Sequence, residues 1–126
     1  MFSISSSSKI ILSIFIVIIS IIGFMVKLPS VFRHHDKELH FLFYFFAALF
    51  FNILYQRKHL FIFSILLGFS IFIELFQSFS NRFFTNRIHG NFDIDDVFSN
   101  FYGLLCFSFF YMLFKLVKYI FNKLSR

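Results

Sequence analysis

A chain of 126 residues that is 59% apolar and 14% charged, with a mean hydropathy of +0.81, does not have the make-up of a soluble domain. Soluble proteins run nearer about 45–50% apolar and about 25% charged, and so small a domain has too little interior for the excess. The net charge of +6 and pI near 9.7 would suit a nucleic-acid binder, but the cations flank apolar stretches as a membrane topology requires, so an integral membrane protein without a nucleic-acid partner is expected. The 26 Phe are a compositional bias shared with Ile, Asn and Lys, not an aromatic ligand box, and the single Cys106 leaves no disulfide framework and no CxxC zinc or redox pattern.

The first apolar stretch, 10–26, follows Lys9 and is interrupted only by Ser13, Ser20 and Gly23. It outruns the usual signal-peptide core of about 7–15 residues and no small-x-small cleavage site follows, so a retained span is expected. The connector after it holds the chain's one proline, Pro29. The second stretch, 39–55, and the third, 60–79, are separated only by Gln56, Arg57, Lys58 and His59, which forces an antiparallel hairpin. A longer polar segment, 80–94, carries Asn81, Arg82, Asn86, Arg87, His89, Gly90 and Asn91, and loops of that length more often serve function than connection. The fourth stretch is 97–113, and the cations of the tail Lys115–Arg126, spaced among Leu116, Val117, Tyr119, Ile120 and Phe121, suit an amphipathic extension. Each stretch is near the lower end of the roughly 17–25 residues that cross hydrocarbon. The expected fold class is an all-α membrane protein, a single domain over 1–126 whose four transmembrane helices form an up-down-up-down bundle, without internal repeats.

In that topology Lys9, Arg57, Lys58, Lys115, Lys118, Lys123 and Arg126 share one side. Lys27, Arg33, Lys37, Arg82 and Arg87 share the other with all six acidic residues. The Lys/Arg bias favours both termini in the cytoplasm and the acidic side outward.

Helical spacing then sorts the polar residues into narrow stripes. Asp36, His40 and Tyr44 follow at i, i+4 and i+8; Glu74 and Gln77 are three apart; Asp96, Asn100 and Gly103 fall at i, i+4 and i+7. Gly103 would let another helix backbone approach closely. Glu74 lies about 7–8 Å inside the end of its span, shallow enough to meet the other stripes. A carboxylate within lipid needs a partner, and Lys37, Arg87 and protonated His40 are the candidates; an ion pair of Glu74 with Arg87 first and Lys37 second is expected. Asp93, Asp95 and His89 read as a solvated loop, and Cys106 as lipid-facing or packed filler.

The string from Asp36-Lys37-Glu38-Leu39-His40 to Tyr44, then Glu74-Leu75-Phe76-Gln77, an arginine, and Asp96-Val97-Phe98-Ser99-Asn100-Phe101-Tyr102-Gly103 resembles the VanZ-like family, whose pattern runs roughly DKxxHxxxY, ExxQ, R and DxxxNxxG. The resemblance covers Asp36 to Gly103. It implies a small multi-pass protein of the bacterial cytoplasmic membrane, in a family named for a member that gives low-level resistance to teicoplanin, with no established molecular mechanism. The loop between Gln77 and Asp96 is longer than usual and offers both Arg82 and Arg87 for the single arginine; Arg87, nearer the acidic segment, is favoured.

Together these readings define a binding cleft of Asp36, Lys37, His40, Tyr44, Glu74, Gln77, Arg87, Asp96 and Asn100, with membrane lipids and a lipid-linked cell-wall precursor or lipoglycopeptide as partners. Three function classes stay open. A non-enzymatic protein that binds an amphiphilic envelope molecule leads. A hydrolase or transferase acting on a lipid head group comes second, with His40, Glu74 and Asp96 as the candidate catalytic groups, although no GxSxG or HExxH appears. An ion- or proton-coupled transporter comes third, against which stands the lack of inverted repeats. Asp36, His40, Glu74 and Asp96 are metal-ligand types, but their spacing matches no ligand motif, and neither a metal nor another cofactor is expected.

Overall fold

A computed structural model describes residues 4–26, 29–83 and 92–125. Its described residues form four helices long and apolar enough to cross a membrane: α1 (Ser6–Met25), α2 (Asp36–Leu54), α3 (His59–Ser80) and α4 (Ile94–Leu124). Lipid offers no hydrogen bonds to a backbone, so an apolar stretch must close its own N–H and C=O groups, and a helix does so within one segment.

Local chemistry sets the ends. The Ser5 side chain caps α1 by accepting from Ser8 N–H at 3.1 Å. Asp36 and Glu38 occupy the first turn of α2, where the helix dipole favours acids. Asp93 caps α4, its carboxylate accepting from Asp95 N–H at 2.8 Å, so Asp93 and Asp95 are part of a helix start and not a free loop. Between α2 and α3 the chain reverses through Arg57 at φ 70°, left-handed backbone in a connection with no glycine.

The tail is continuous with α4 and forms no separate element. With 31 residues the helix is about 46 Å long, well beyond the roughly 30 Å of hydrocarbon, and residues 112–125 are exposed throughout.

α2 and α4 share the most extensive helix contact, and they run parallel: Lys37 meets Asp95, His40 meets Asn100 and Phe45 packs on Phe107. α3 lies antiparallel to both, joining Ser70 to Asn100 and His59 to Ser108 and Asn52. The order is therefore up-down-up-down. Gly103 sets the closeness of α2 and α4, because a Cβ there would run into the Phe41 carbonyl oxygen. Without a strong hydrophobic drive between helices in lipid, such small-residue contacts are what hold them. The core beneath is Tyr44, Ala47, Ala48, Ile62, Leu66, Leu104 and Phe107.

α1 is held differently. Ser20 is its one buried residue, and its ends are tied by Ser13 Oγ to Tyr55 Oη at 2.9 Å and by Gln77 Nε2 donating to Phe24 O at 2.7 Å. Between those ties it stands off from α2 and α3 and leaves a groove.

Candidate functional site

Where α2, α3 and α4 meet towards the acidic end, three side chains interlock. Asn100 Nδ2 donates to Ser70 Oγ at 2.8 Å, which turns Asn100 Oδ1 toward His40 Nδ1 at 2.9 Å. An amide oxygen only accepts, so Nδ1 carries a proton; in the neutral ring the lone pair then lies on Nε2, and in the protonated ring Nε2–H faces Asp36 as an ion-pair partner. All three residues are buried, Ser70 and Asn100 completely. The network fixes the ring of His40, with Phe24 5.1 Å from it between centroids.

His40 Nε2 points at Asp36, whose Oδ1 is 3.7 Å away, too far for a hydrogen bond. Asp96 completes the group, and one ligand-type atom from each of Asp36, His40 and Asp96 lies within 4.8 Å of the other two. Asp96 is 7% exposed and Glu74 3%. Glu74 sits just beyond: its Oε2 is 3.5 Å from Asp93 N–H, and Asp96, Asp93 and Asp36 are the charges that act on it. Its other oxygen, Oε1, is buried without a hydrogen-bond partner among the described residues, as is the Tyr44 hydroxyl. One histidine and three carboxylates thus converge in a region of low dielectric.

The other expected cleft residues go elsewhere. Lys37 does not pair with Glu74. Its ammonium reaches Asp95 Oδ2 at 2.8 Å on the exposed rim, because a side chain at the first turn of α2 meets the first turn of its parallel neighbour α4. Gln77 is spent on the Phe24 carbonyl, fastening α1 to α3. Arg82 is exposed just past α3, and Arg87 lies outside the described residues.

Ser70 escaped sequence reading, although it precedes Glu74 by four residues and Gln77 by seven and so extends their stripe. A second polar cluster was missed entirely. His59 Nδ1 meets Asn52 Oδ1 at 3.0 Å, its Nε2 meets Ser108 Oγ at 3.0 Å, and its ring stacks on Tyr111 at 4.4 Å. The signal available was Ser108 eight residues beyond Asn100, two turns along the same face of α4.

The groove beside α1 reaches this site. A cavity of about 350 Å³ between α1 and α2 is lined by Asp36 and His40 together with Ile19, Ser20, Gly23, Phe24, Leu39 and Phe43. A second of about 390 Å³, almost wholly apolar, continues past Ala47, Phe51 and Ile62 to Tyr55 and Lys58. Ser20 and Phe43 line both. From Asp36 to Tyr55 the path follows about 28 Å of α2.

Fold and site define a small multi-pass membrane protein with a buried, histidine-bearing acidic cluster at one end of a lipid-accessible groove. A family model described as VanZ/LLP1 matches residues 3–115, and the chain belongs to that family. No curated protein and no solved structure matches it.

Proposed function

We propose that the protein binds a lipid-linked or otherwise amphiphilic molecule of the bacterial envelope, its polar head at Asp36, His40 and Asp96 and its tail in the groove beside α1. The observation that carries this reading is that an apolar cavity beside α1 and one lined by Asp36 and His40 share Ser20 and Phe43 in their walls. A path of about 28 Å approaches the full thickness of the hydrocarbon, which suits a tail longer than one leaflet, such as the polyprenyl chain of a cell-wall precursor. The protein sits in the cytoplasmic membrane with both termini inside and the cluster outward, as the Lys/Arg bias favours. Changed sensitivity to teicoplanin-type glycopeptides is the phenotype that such binding would give.

A second reading has its own support. His40 has a fixed ring, a lone pair on Nε2 and two carboxylates beside it at the wall of a cleft, the equipment of a general base for head-group hydrolysis or transfer.

The test is to purify the protein in mild detergent and identify the amphiphiles that travel with it by mass spectrometry. Ser20→Phe, which plugs the junction of the two cavities, should strip the bound species while the protein keeps its elution profile. Retention of the same species by that variant would refute the groove. Turnover of a head group by wild type but not by His40→Ala would establish the second reading. Orientation is read from a Cys106→Ser background with a cysteine placed at Val31, which is 75% exposed at the acidic end. Labelling from the cytoplasmic side only would reverse the topology.

A further inference from the structure

We propose that Asp36, His40 and Asp96 form a divalent-cation site, taking a first-row ion such as Mn²⁺ or Zn²⁺ through one oxygen of each carboxylate and the Nε2 of His40. The site shares residues with the amphiphile cleft, but the ion can be tested with no amphiphile present.

The donor atoms lie within 4.8 Å of one another. Ligands about 2.1 Å from a common ion are about 3–4 Å apart, so the His40 Nε2 to Asp36 Oδ1 separation of 3.7 Å is already of that size. The outer hydrogen bonds are arranged as metal-binding histidines require: the nitrogen away from the site gives its proton to a fixed carbonyl oxygen, here Asn100 Oδ1 at 2.9 Å, which leaves the lone pair of Nε2 facing the carboxylates. Asn100 is itself oriented by Ser70, so the tautomer is set two residues deep.

With His40 neutral, three acceptors face each other, and a protonated His40 supplies one positive charge against two carboxylates; desolvating a carboxylate without full compensation is costly. Lys37, a cation whose charge acts on Asp96, is committed to Asp95 on the exposed rim. Outside the triad, Glu74 is 3% exposed with Oε1 unpartnered among the described residues, and it lies beside Asp96 and Asp93. A buried carboxylate oxygen left unpaired next to two more carboxylates is the environment that a nearby dication relieves, through a bound water. One borderline nitrogen and two hard oxygens make a mixed donor set that suits Mn²⁺ or Zn²⁺, and three protein ligands leave positions open toward the cavity between α1 and α2, where an anionic head group completes the shell.

Purified protein, stripped with chelator and exchanged into metal-free buffer, is titrated with Mn²⁺ followed by electron paramagnetic resonance, and with Zn²⁺ followed by thermal melting. One equivalent of Mn²⁺ should bind, and either ion should raise the melting temperature. Asp36→Asn, on the half-exposed edge of the site, and Asp96→Asn should each weaken binding at least tenfold. Asn100→Ala should weaken it by about 10- to 100-fold through loss of the outer hydrogen bond. His35→Ala controls for the exposed His35–Glu38 pair, a surface place where a metal could collect, and should bind as wild type does. Absence of Mn²⁺ and Zn²⁺ binding by wild type would overturn the site whatever the variants do. So would binding that survives Asp96→Asn but is lost in His35→Ala. Amphiphile retention in chelator would leave the binding reading standing after the metal had failed.

Discussion

His40 and His59 serve the same bundle from opposite ends, and their surroundings differ in a way that separates structure from function. Both ring nitrogens of His59 meet neutral partners, Asn52 and Ser108, and its face is covered by Tyr111. His40 has one nitrogen satisfied by Asn100, while the other looks at two carboxylates and a cavity. A polar group with every bond made has nothing left to offer a ligand and acts as a staple. One held rigidly with a lone pair unspent is prepared for something that the chain alone does not supply.

The largest effect expected is on the feature that both ends share. Gly103→Val should force α2 and α4 apart against the Phe41 backbone, costing about 3 kcal/mol and disrupting both clusters together, measured as lost folded protein on size-exclusion chromatography in detergent. Unchanged yield and melting would mean that the two helices are not held at that contact. Next, His59→Ala should lower stability by about 1–3 kcal/mol by stranding Asn52 and Ser108, while surviving folded protein keeps its amphiphile. His40→Ala should do the reverse in kind, removing head-group and cation binding more than stability. Similar profiles for the two would erase the contrast between the ends.

A smaller effect sharpens the acidic end. Glu74→Gln removes one of several like charges crowded in low dielectric, so the melting temperature of the metal-free protein should hold or rise, by the equivalent of about 1 kcal/mol. A marked fall would show instead that Glu74 is held as an ion pair. The smallest change belongs to the rim. Lys37→Ala, which breaks an exposed pair with Asp95, should leave melting and amphiphile binding as they are, checked by the same thermal scan.

The contrast between the two histidines also explains what sequence reading could reach. Helical spacing found the stripes Asp36–His40–Tyr44 and Asp96–Asn100–Gly103 because neighbours on one helix face are fixed by the helix itself. The same arithmetic gave Glu74 and Gln77 one face but could not say that Gln77 would bond the Phe24 carbonyl while Glu74 turned to the start of α4. Lys37, second after Arg87, looked like a partner of Glu74 because both were charged at the same membrane level. Parallel packing of α2 on α4 placed Asp95 nearer to the lysine.

The sequence by itself determined the membrane class, four spans, their alternation and the gathering of acids at one end. Hydropathy, span length and helix periodicity are local properties, and lipid obliges each segment to satisfy its own backbone. Only the tertiary structure decided which polar groups are spent and which remain. That outcome depends on α2 meeting α4 across an intervening helix, at a closeness that Gly103 permits, and on a serine of α3 turning the amide of Asn100 so that the lone pair of His40 faces Asp36 and Asp96.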